Sequence, residues 1–241
     1  MNNKTGISWT EKTWNPTIGC TKVSQGCKNC YAERMAYDLK AKGSKIYADG
    51  FKVKLMPSRL SEPKAISKPS LIFVNSMSDL FHDDVPDDYI KKVFAVMNAC
   101  PQHTFQVLTK RPERLLALSS ELNFTDNIWV GVSIENSAVL DRMDLLKQVP
   151  AKIKWLSLEP LLGPLPNLDL DGIHWVVVGG ESGEKFRTMD IDWARDLRDQ
   201  CVAKGIPFFF KQYSGKRPKH LGDKLDGRQW HEYPARAAQT I

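Results

Sequence analysis

Short apolar runs, separated by amphipathic stretches, set the rhythm of this chain. Leu71-Ile72-Phe73-Val74, Phe105-Gln106-Val107-Leu108 and Ile128-Trp129-Val130-Gly131-Val132 are followed by Ile153-Lys154-Trp155-Leu156-Ser157-Leu158, His174-Trp175-Val176-Val177-Val178 and Pro207-Phe208-Phe209-Phe210. Continuous apolar residues, rather than alternating ones, predict strands covered on both faces. Between the runs, residues recur at helical spacing: Ile90, Val93, Phe94 and Met97; Leu115 and Leu118; Leu140, Met143 and Leu146; Trp193, Leu197 and Cys201, stopped by Gly205. Strands alternating with helices predict a parallel sheet. With a first strand placed just before Cys20, seven strands are expected.

The fold class is therefore α/β: a mostly parallel, TIM-like β/α barrel, full or partial, with a cysteine loop after the first strand. The barrel is expected over residues 1–212, and a loosely ordered C-terminal extension over 213–241 packs on or beside it. Tyr31 to Lys42 reads as a helix with Met35 and Leu39 on one face and Gly43 as its stop. Residues 44–69, with Pro57, Pro63 and Pro69, read as an irregular excursion, and the segment after Glu159-Pro160 is poorly helical.

Polar residues follow nearly every apolar run. The strand ends carry Ser76, Ser78, Asp79, Thr109, Lys110, Ser133, Glu135, Glu159, Gly180, Glu181, Lys211 and Gln212. Ligands of parallel α/β sheets collect at the carboxyl ends of the strands. One such residue is an ordinary cap or loop residue; a set from six successive strands predicts the lining of a polar cavity.

The same side of the sheet is expected to carry Gly19-Cys20-Thr21-Lys22-Val23-Ser24-Gln25-Gly26-Cys27-Lys28-Asn29-Cys30. Three of the five cysteines fall within eleven positions here, spaced C-x6-C-x2-C. Three thiolates on one glycine-flanked loop suit a metal ion or an iron–sulfur cluster. A structural zinc site usually closes with four protein ligands, for which His82 is the candidate fourth. Three thiolates on a four-iron cluster leave one iron open, where S-adenosylmethionine can bind. Reduced cysteines with no metal are the third alternative. Cys100 and Cys201, each near a helix end, read as buried small hydrophobes.

Composition narrows the classes. Hydrophobic content of 42% and charged content of 26% are ordinary for a globular domain. No apolar run approaches a membrane span, Met1-Asn2-Asn3-Lys4 lacks the apolar core of a signal peptide, and the cysteine count is odd. A cytoplasmic protein without membrane association is expected. The net charge of +6 is concentrated in two stretches. Lys40 to Lys68 holds eight basic residues against Asp49 and Glu62; Lys211 to Arg228 holds six against Asp223 and Asp226. Tyr47, Phe51 and Trp230 lie among or beside them, a pattern that suits a polyanion such as nucleic acid or a solvated lysine-rich surface. Gly179-Gly180-Glu181-Ser182-Gly183 resembles a strand-to-helix nucleoside loop, although it is not G-x-G-x-x-G. Glycine there lets a ligand approach the backbone, and Glu181 offers an acceptor for an ammonium or ribose hydroxyls.

The barrel with a three-cysteine loop after its first strand resembles radical S-adenosylmethionine (radical SAM) enzymes. More closely, Asn15-Pro16, Gly19-Cys20, Ser78-Asp79-Leu80-Phe81-His82, Leu108-Thr109-Lys110-Arg111-Pro112, Gly131-Val132-Ser133, Glu159-Pro160-Leu161, Gly179 to Gly183 and Phe210-Lys211-Gln212 resemble a phage-associated three-cysteine family of unassigned function. The resemblance implies a 4Fe-4S cluster on Cys20, Cys27 and Cys30, S-adenosyl-L-methionine as cofactor, and an external electron donor. Two features depart from the pattern. The common loop is C-x3-C-x2-C, and the Gly-Gly-Glu motif, expected near the second strand, comes four strands later. Ser133, Glu135, Gly179, Gly180 and Glu181 are the candidate cofactor contacts. Asp79, Lys110, Glu159 and Lys211 are the candidates for the substrate side, with a nucleotide or nucleic acid, in repair or modification, as the expected substrate. The rival readings are a zinc-stabilised nucleic-acid-binding protein without catalysis and a non-catalytic iron–sulfur barrel.

Overall fold

A computed structural model describes residues 5–235. The polar start Met1 to Lys4 and the last six residues of the C-terminal extension lie outside the described residues. Seven strands form one sheet: β1 (Lys12–Trp14), β2 (Leu71–Val74), β3 (Thr104–Thr109), β4 (Ile128–Ser133), β5 (Ile153–Leu158), β6 (Trp175–Gly179) and β7 (Phe208–Gln212). They lie side by side in chain order, and every pairing is parallel. The order ends at β1 and β7, so the barrel is partial.

Both faces of the sheet are dry, which is why its strands read as unbroken apolar runs. Ile72, Val74, Val130, Val132, Val176 and Val178 point to the outer face. There they meet α2 (Asp87–Asn98), α3 (Pro112–Leu118), α4 (Asp141–Lys147) and α5 (Ile191–Lys204). Their alternates Leu71, Phe73, Trp129, Trp155, Trp175, Val177 and Phe209 form a separate, aromatic inner core. Trp9, from the segment before β1, fills its centre. Its ring lies 4.7 Å from Phe73 on β2, 5.3 Å from Trp155 on β5 and 6.1 Å from Trp175 on β6. Strands four places apart can meet one indole only if the sheet curls around it.

Three elements differ from the sequence reading. The first strand lies at Lys12–Trp14, earlier than expected, and Thr17–Ile18 just before Cys20 pairs antiparallel with Lys54–Leu55 in a separate small sheet. The excursion over 44–69 therefore folds back under the cysteine loop. The helix after the loop, α1 (Tyr31–Ala41), buries Ala32 and Ala36, while Met35 stays 47% exposed. Small side chains let this helix sit close to Ile18, Tyr47 and Met77. The chain after β7 is paired rather than loose. Phe210 N–H donates to Trp230 O at 2.8 Å and Glu232 N–H to Phe208 O at 3.2 Å, which adds an antiparallel segment to the free edge of β7.

Other expectations match. α5 ends at Gly205, whose left-handed φ of 66° provides the stop, and Asp190 caps its start by accepting from the Asp192 N–H at 3.0 Å. Cys100 and Cys201 are buried, and β5 runs to β6 without a helix.

Candidate functional site

The cysteine loop lies over the carboxyl end of the sheet because glycine lets it. At Gly19, φ is +79°, and a Cβ would lie 2.1 Å from Lys52 O. Only glycine allows the 51–53 segment to cross here, where Phe51 O accepts from the Cys20 N–H at 3.2 Å. Cys20, Cys27 and Cys30 are free, half-buried thiols lining one cavity. Asp79, Lys110, Ser133, Glu159, Gly180, Glu181 and Lys211 line the same cavity; Glu135 and Gly179 do not. Ten of the twelve residues singled out from sequence thus meet in one place.

Three carboxylates bind the loop to the sheet, each paired with an arginine. Asp79, after β2, accepts from Thr109 Oγ1 at 2.7 Å, the Lys110 N–H at 3.0 Å and Arg111 Nη1 at 3.2 Å. Arg111 carries the connection onward, to Cys20 Sγ at 3.5 Å and to Thr21 O and Oγ1 at 3.2 and 3.0 Å. Glu135, after β4, accepts from the Gly26 N–H at 2.9 Å and from Arg142 Nη1 at 3.1 Å. Glu181, after β6, accepts from Asn29 Nδ2 at 3.0 Å and from the Arg187 N–H and Nε at 2.8 and 2.9 Å, while Arg187 Nη2 donates to Gln25 O at 3.0 Å. Residues 20–21 of the loop are tied to the Asp79–Arg111 pair, Gly26 to Glu135, and Gln25 and Asn29 to the Glu181–Arg187 pair.

These bonds favour the charged form of Glu135 and Glu181. Burial pushes the Glu135 carboxyl up, but the Ser24 hydroxyl, the Gly26 N–H and Arg142 together bring it below the ordinary range. Glu181 follows the same logic, with burial outweighed by Arg187 and Asn29. Burial and the Asp79 carboxylate push the Cys20 thiol up, against the opposing pull of Arg111.

Glu159 and Lys211 differ. They form an ion pair at 2.7 Å, with side chains 12% and 21% exposed, on the cavity wall. Trp9 Nε1 and Ser157 Oγ donate to the other Glu159 oxygen at 3.2 and 3.3 Å. The glycines of Gly179-Gly180 have a packing role. A Cβ on Gly179 would lie 2.7 Å from Glu159 Oε1, and one on Gly180 would lie 2.2 Å from Ser214 N. The room expected for a ligand is taken there by the Glu159 side chain and the 213–214 backbone.

Sequence reasoning missed Arg142, Arg187, Asn29 and Trp9, and gave Arg111 no role apart from Lys110. The available signal for Arg111 was its place after β3, beside the strand whose end carries Asp79. Arginine is the suited partner because its planar fork bonds a carboxylate and a loop carbonyl at once.

The donor set fits a cluster better than a four-ligand zinc site. His82, the candidate fourth zinc ligand, has both ring nitrogens engaged: Nδ1 accepts from the Asp84 N–H at 3.0 Å, and Nε2 faces Thr21 Oγ1 at 2.8 Å. Among the described residues, no three His, Cys, Asp or Glu side chains are close enough together to hold a single metal ion. Three thiols lining one cavity, with His82 engaged elsewhere, match the donor set of a cluster held by three cysteines.

Residues 4–234 match the family described as protein of unknown function, DUF5131. The chain belongs to that family. No curated protein matches it. Among solved structures, it is similar to a cysteine-to-serine mutant of spore photoproduct lyase, with a TM-score of 0.50 and 14% identity over 80% of this chain and 61% of that one. It is also similar to spore photoproduct lyase complexed with dinucleoside spore photoproduct (TM-score 0.47, 12% identity, 77% and 59% covered). A third is a double mutant of that lyase with bound AdoMet and dinucleoside spore photoproduct (0.48, 11%, 80% and 61%). The DUF5131 chain thus spans about three-fifths of the length of these lyases. The likeness is one of fold, a curled half-barrel of parallel strands with outer helices.

Proposed function

We propose that this chain is a radical SAM-type iron–sulfur enzyme acting on a nucleotide or nucleic acid. The observation that supports it most is the convergence of three free thiols on one cavity at the carboxyl ends of the parallel strands. Cys20, Cys27 and Cys30 would hold a 4Fe-4S cluster, with S-adenosyl-L-methionine beside it. When bound, these supply one-electron cleavage of the cofactor to an adenosyl radical, which abstracts hydrogen from a substrate.

The protein's own residues bind, orient and exclude water. Ser133 and Glu181 are the proposed cofactor contacts; Glu135, Gly179 and Gly180 act through their neighbours, on the loop, on Glu159 and on the 212–214 backbone. Arg111 donates to the Cys20 sulfur and so orients a ligand, as partners behind a metal site do. Among the described residues, Lys110 makes no ion pair, although it lines the cavity. It is the proposed receptor for a phosphate. Glu159 and Lys211 form the hydrogen-bonding wall for the substrate, and Asp79 positions Lys110 through its backbone. An external electron donor would approach the half-buried thiols. Five free cysteines suit a reducing compartment such as the cytoplasm, and no helix among the described residues is long and apolar enough to cross a membrane.

The test is anaerobic purification and reconstitution, with iron, sulfide and zinc analysis followed by an assay for reductive cleavage of S-adenosylmethionine to deoxyadenosine. Equal iron and sulfide, lost on Cys→Ala replacement at 20, 27 or 30, together with cleavage, is the expected result. A zinc-loaded, iron-free protein overturns the reading, and a cluster without cleavage leaves a non-catalytic iron–sulfur barrel.

A further inference from the structure

The two basic stretches of the sequence have different fates in the fold. In the second, Lys211 pairs with Glu159, Lys216 with Glu184 and Arg228 with Glu232, half of its six cations. Arg217 and Lys224 are exposed and make no ion pair among the described residues, and Asp226 is taken by Arg195 and Arg198 from α5. In the first, Lys54 takes Asp49 at 2.5 Å. Arg59 takes Glu62 at 3.9 Å. Lys40, Lys42, Lys45 and Lys52, together with Arg34 earlier on α1, are exposed and make no ion pair among the described residues. On the same surface, Asp38 is the acid left without an ion pair. Uncompensated cations this dense repel one another, and a polyanion relieves that repulsion.

The same surface also exposes apolar groups. Val23, Tyr31, Met35, Tyr37 and Ile46 are five of the nine exposed large hydrophobics among the described residues, and all fall within one short stretch of chain. Tyr37 is 53% exposed, with its ring lying over Gly50. The surface continues into the cavity. Tyr31 and Phe51 line the cavity, Lys52 packs its backbone on Gly19, and the Arg34 guanidinium reaches Gly183 of the Gly-Gly-Glu loop.

We infer that α1 and the 42–54 segment form a docking surface for single-stranded nucleic acid, which leads one nucleotide into the cavity. Unpaired cations follow the backbone, and exposed aromatic faces stack unpaired bases, which a duplex does not offer. The inference rests on the proposed function for the nature of the substrate, but binding does not need the cluster.

The test is fluorescence anisotropy of the full-length protein with a labelled single strand of about 12 nucleotides, titrated between about 50 and 200 mM salt. The duplex of the same sequence serves as competitor. Binding is expected to weaken linearly on a log–log plot. Replacing Lys40, Lys42, Lys45 and Lys52 together by Gln should lower the slope by roughly 0.7 for each cation removed. Tyr37→Ala should weaken binding by about tenfold, and Tyr37→Phe should restore it. Thermal unfolding of each variant confirms that the fold is intact. An unchanged slope in the four-lysine variant, equal competition by the duplex, or no binding by iron-containing protein each overturns the surface and leaves the cluster reading intact. Binding by a protein that takes up no iron overturns the cluster reading and leaves the surface.

Discussion

Alternate strand ends of this sheet treat their carboxylates in two ways. After β2, β4 and β6, Asp79, Glu135 and Glu181 each lie against an arginine, and each acid or its partner arginine reaches the cysteine loop. After β5, Glu159 lies against the lysine of β7, and the pair belongs to the cavity wall rather than the loop. Three acids are structural bolts for a segment with little regular structure of its own. The fourth is held by one aliphatic-stemmed cation, an indole and the Ser157 hydroxyl, none of them on the loop. Equivalent positions in sequence thus divide into support and contact according to the partner that packing supplies.

The sharpest way to break this contrast is to remove a bolt. Arg111→Met leaves Asp79 buried without its counter-charge and should cost about 3–5 kcal/mol in urea unfolding. Iron uptake should fall with it, because Cys20 and Thr21 lose their donor. A cost as large for Glu159→Gln would erase the distinction.

Next comes acid sensitivity. Glu135 and Glu181 have folded pKa values depressed below the unfolded value of about 4.3. Their stabilisation is complete above that pH and is lost as pH falls through the folded values. Unfolding midpoints should therefore drop steeply on the acid side, and Glu135→Gln should flatten that limb while lowering stability at neutral pH.

A smaller effect sharpens the picture at the wall. Glu159→Gln keeps a side chain of the same shape beside Trp9 but takes the counter-charge from the partly buried Lys211, which still reaches the cavity; it should cost about 1–2 kcal/mol, less than Arg111→Met. Its signature is functional: normal iron content with impaired substrate turnover. Smallest in stability is Asn29→Ala, which removes one of several donors to Glu181 and should cost about 1 kcal/mol.

Part of this was legible in the chain itself. Apolar runs such as Val176-Val177-Val178 identify strands covered on both sides, and the rhythm of runs and helical stretches leads to seven parallel strands. Polar residues directly after those runs identify the cavity lining because a strand end is a short-range feature. The spacing of Cys20, Cys27 and Cys30 marks the loop for the same reason. α1 was misread in its buried face, since alanine carries little hydrophobic signal and its burial depends on what approaches it.

The roles within the site came only from the tertiary structure. Strand context does not distinguish Glu135 from Glu159: both follow an apolar strand, and only the folded chain gives one Gly26 together with Arg142 of the next helix, the other Lys211 and Trp9. The two basic stretches likewise look alike as sequence, and only folding shows that acids from elsewhere in the chain pair with Lys211, Lys216 and Arg228 of one, while Lys40, Lys42, Lys45 and Lys52 of the other make no ion pair among the described residues. Periodicity is a property of neighbours along the chain and fixes the elements; the hydrogen bonds of Gly26 to Glu135 and of Asn29 to Glu181 join residues 109 and 152 positions apart and exist only once the sheet has curled.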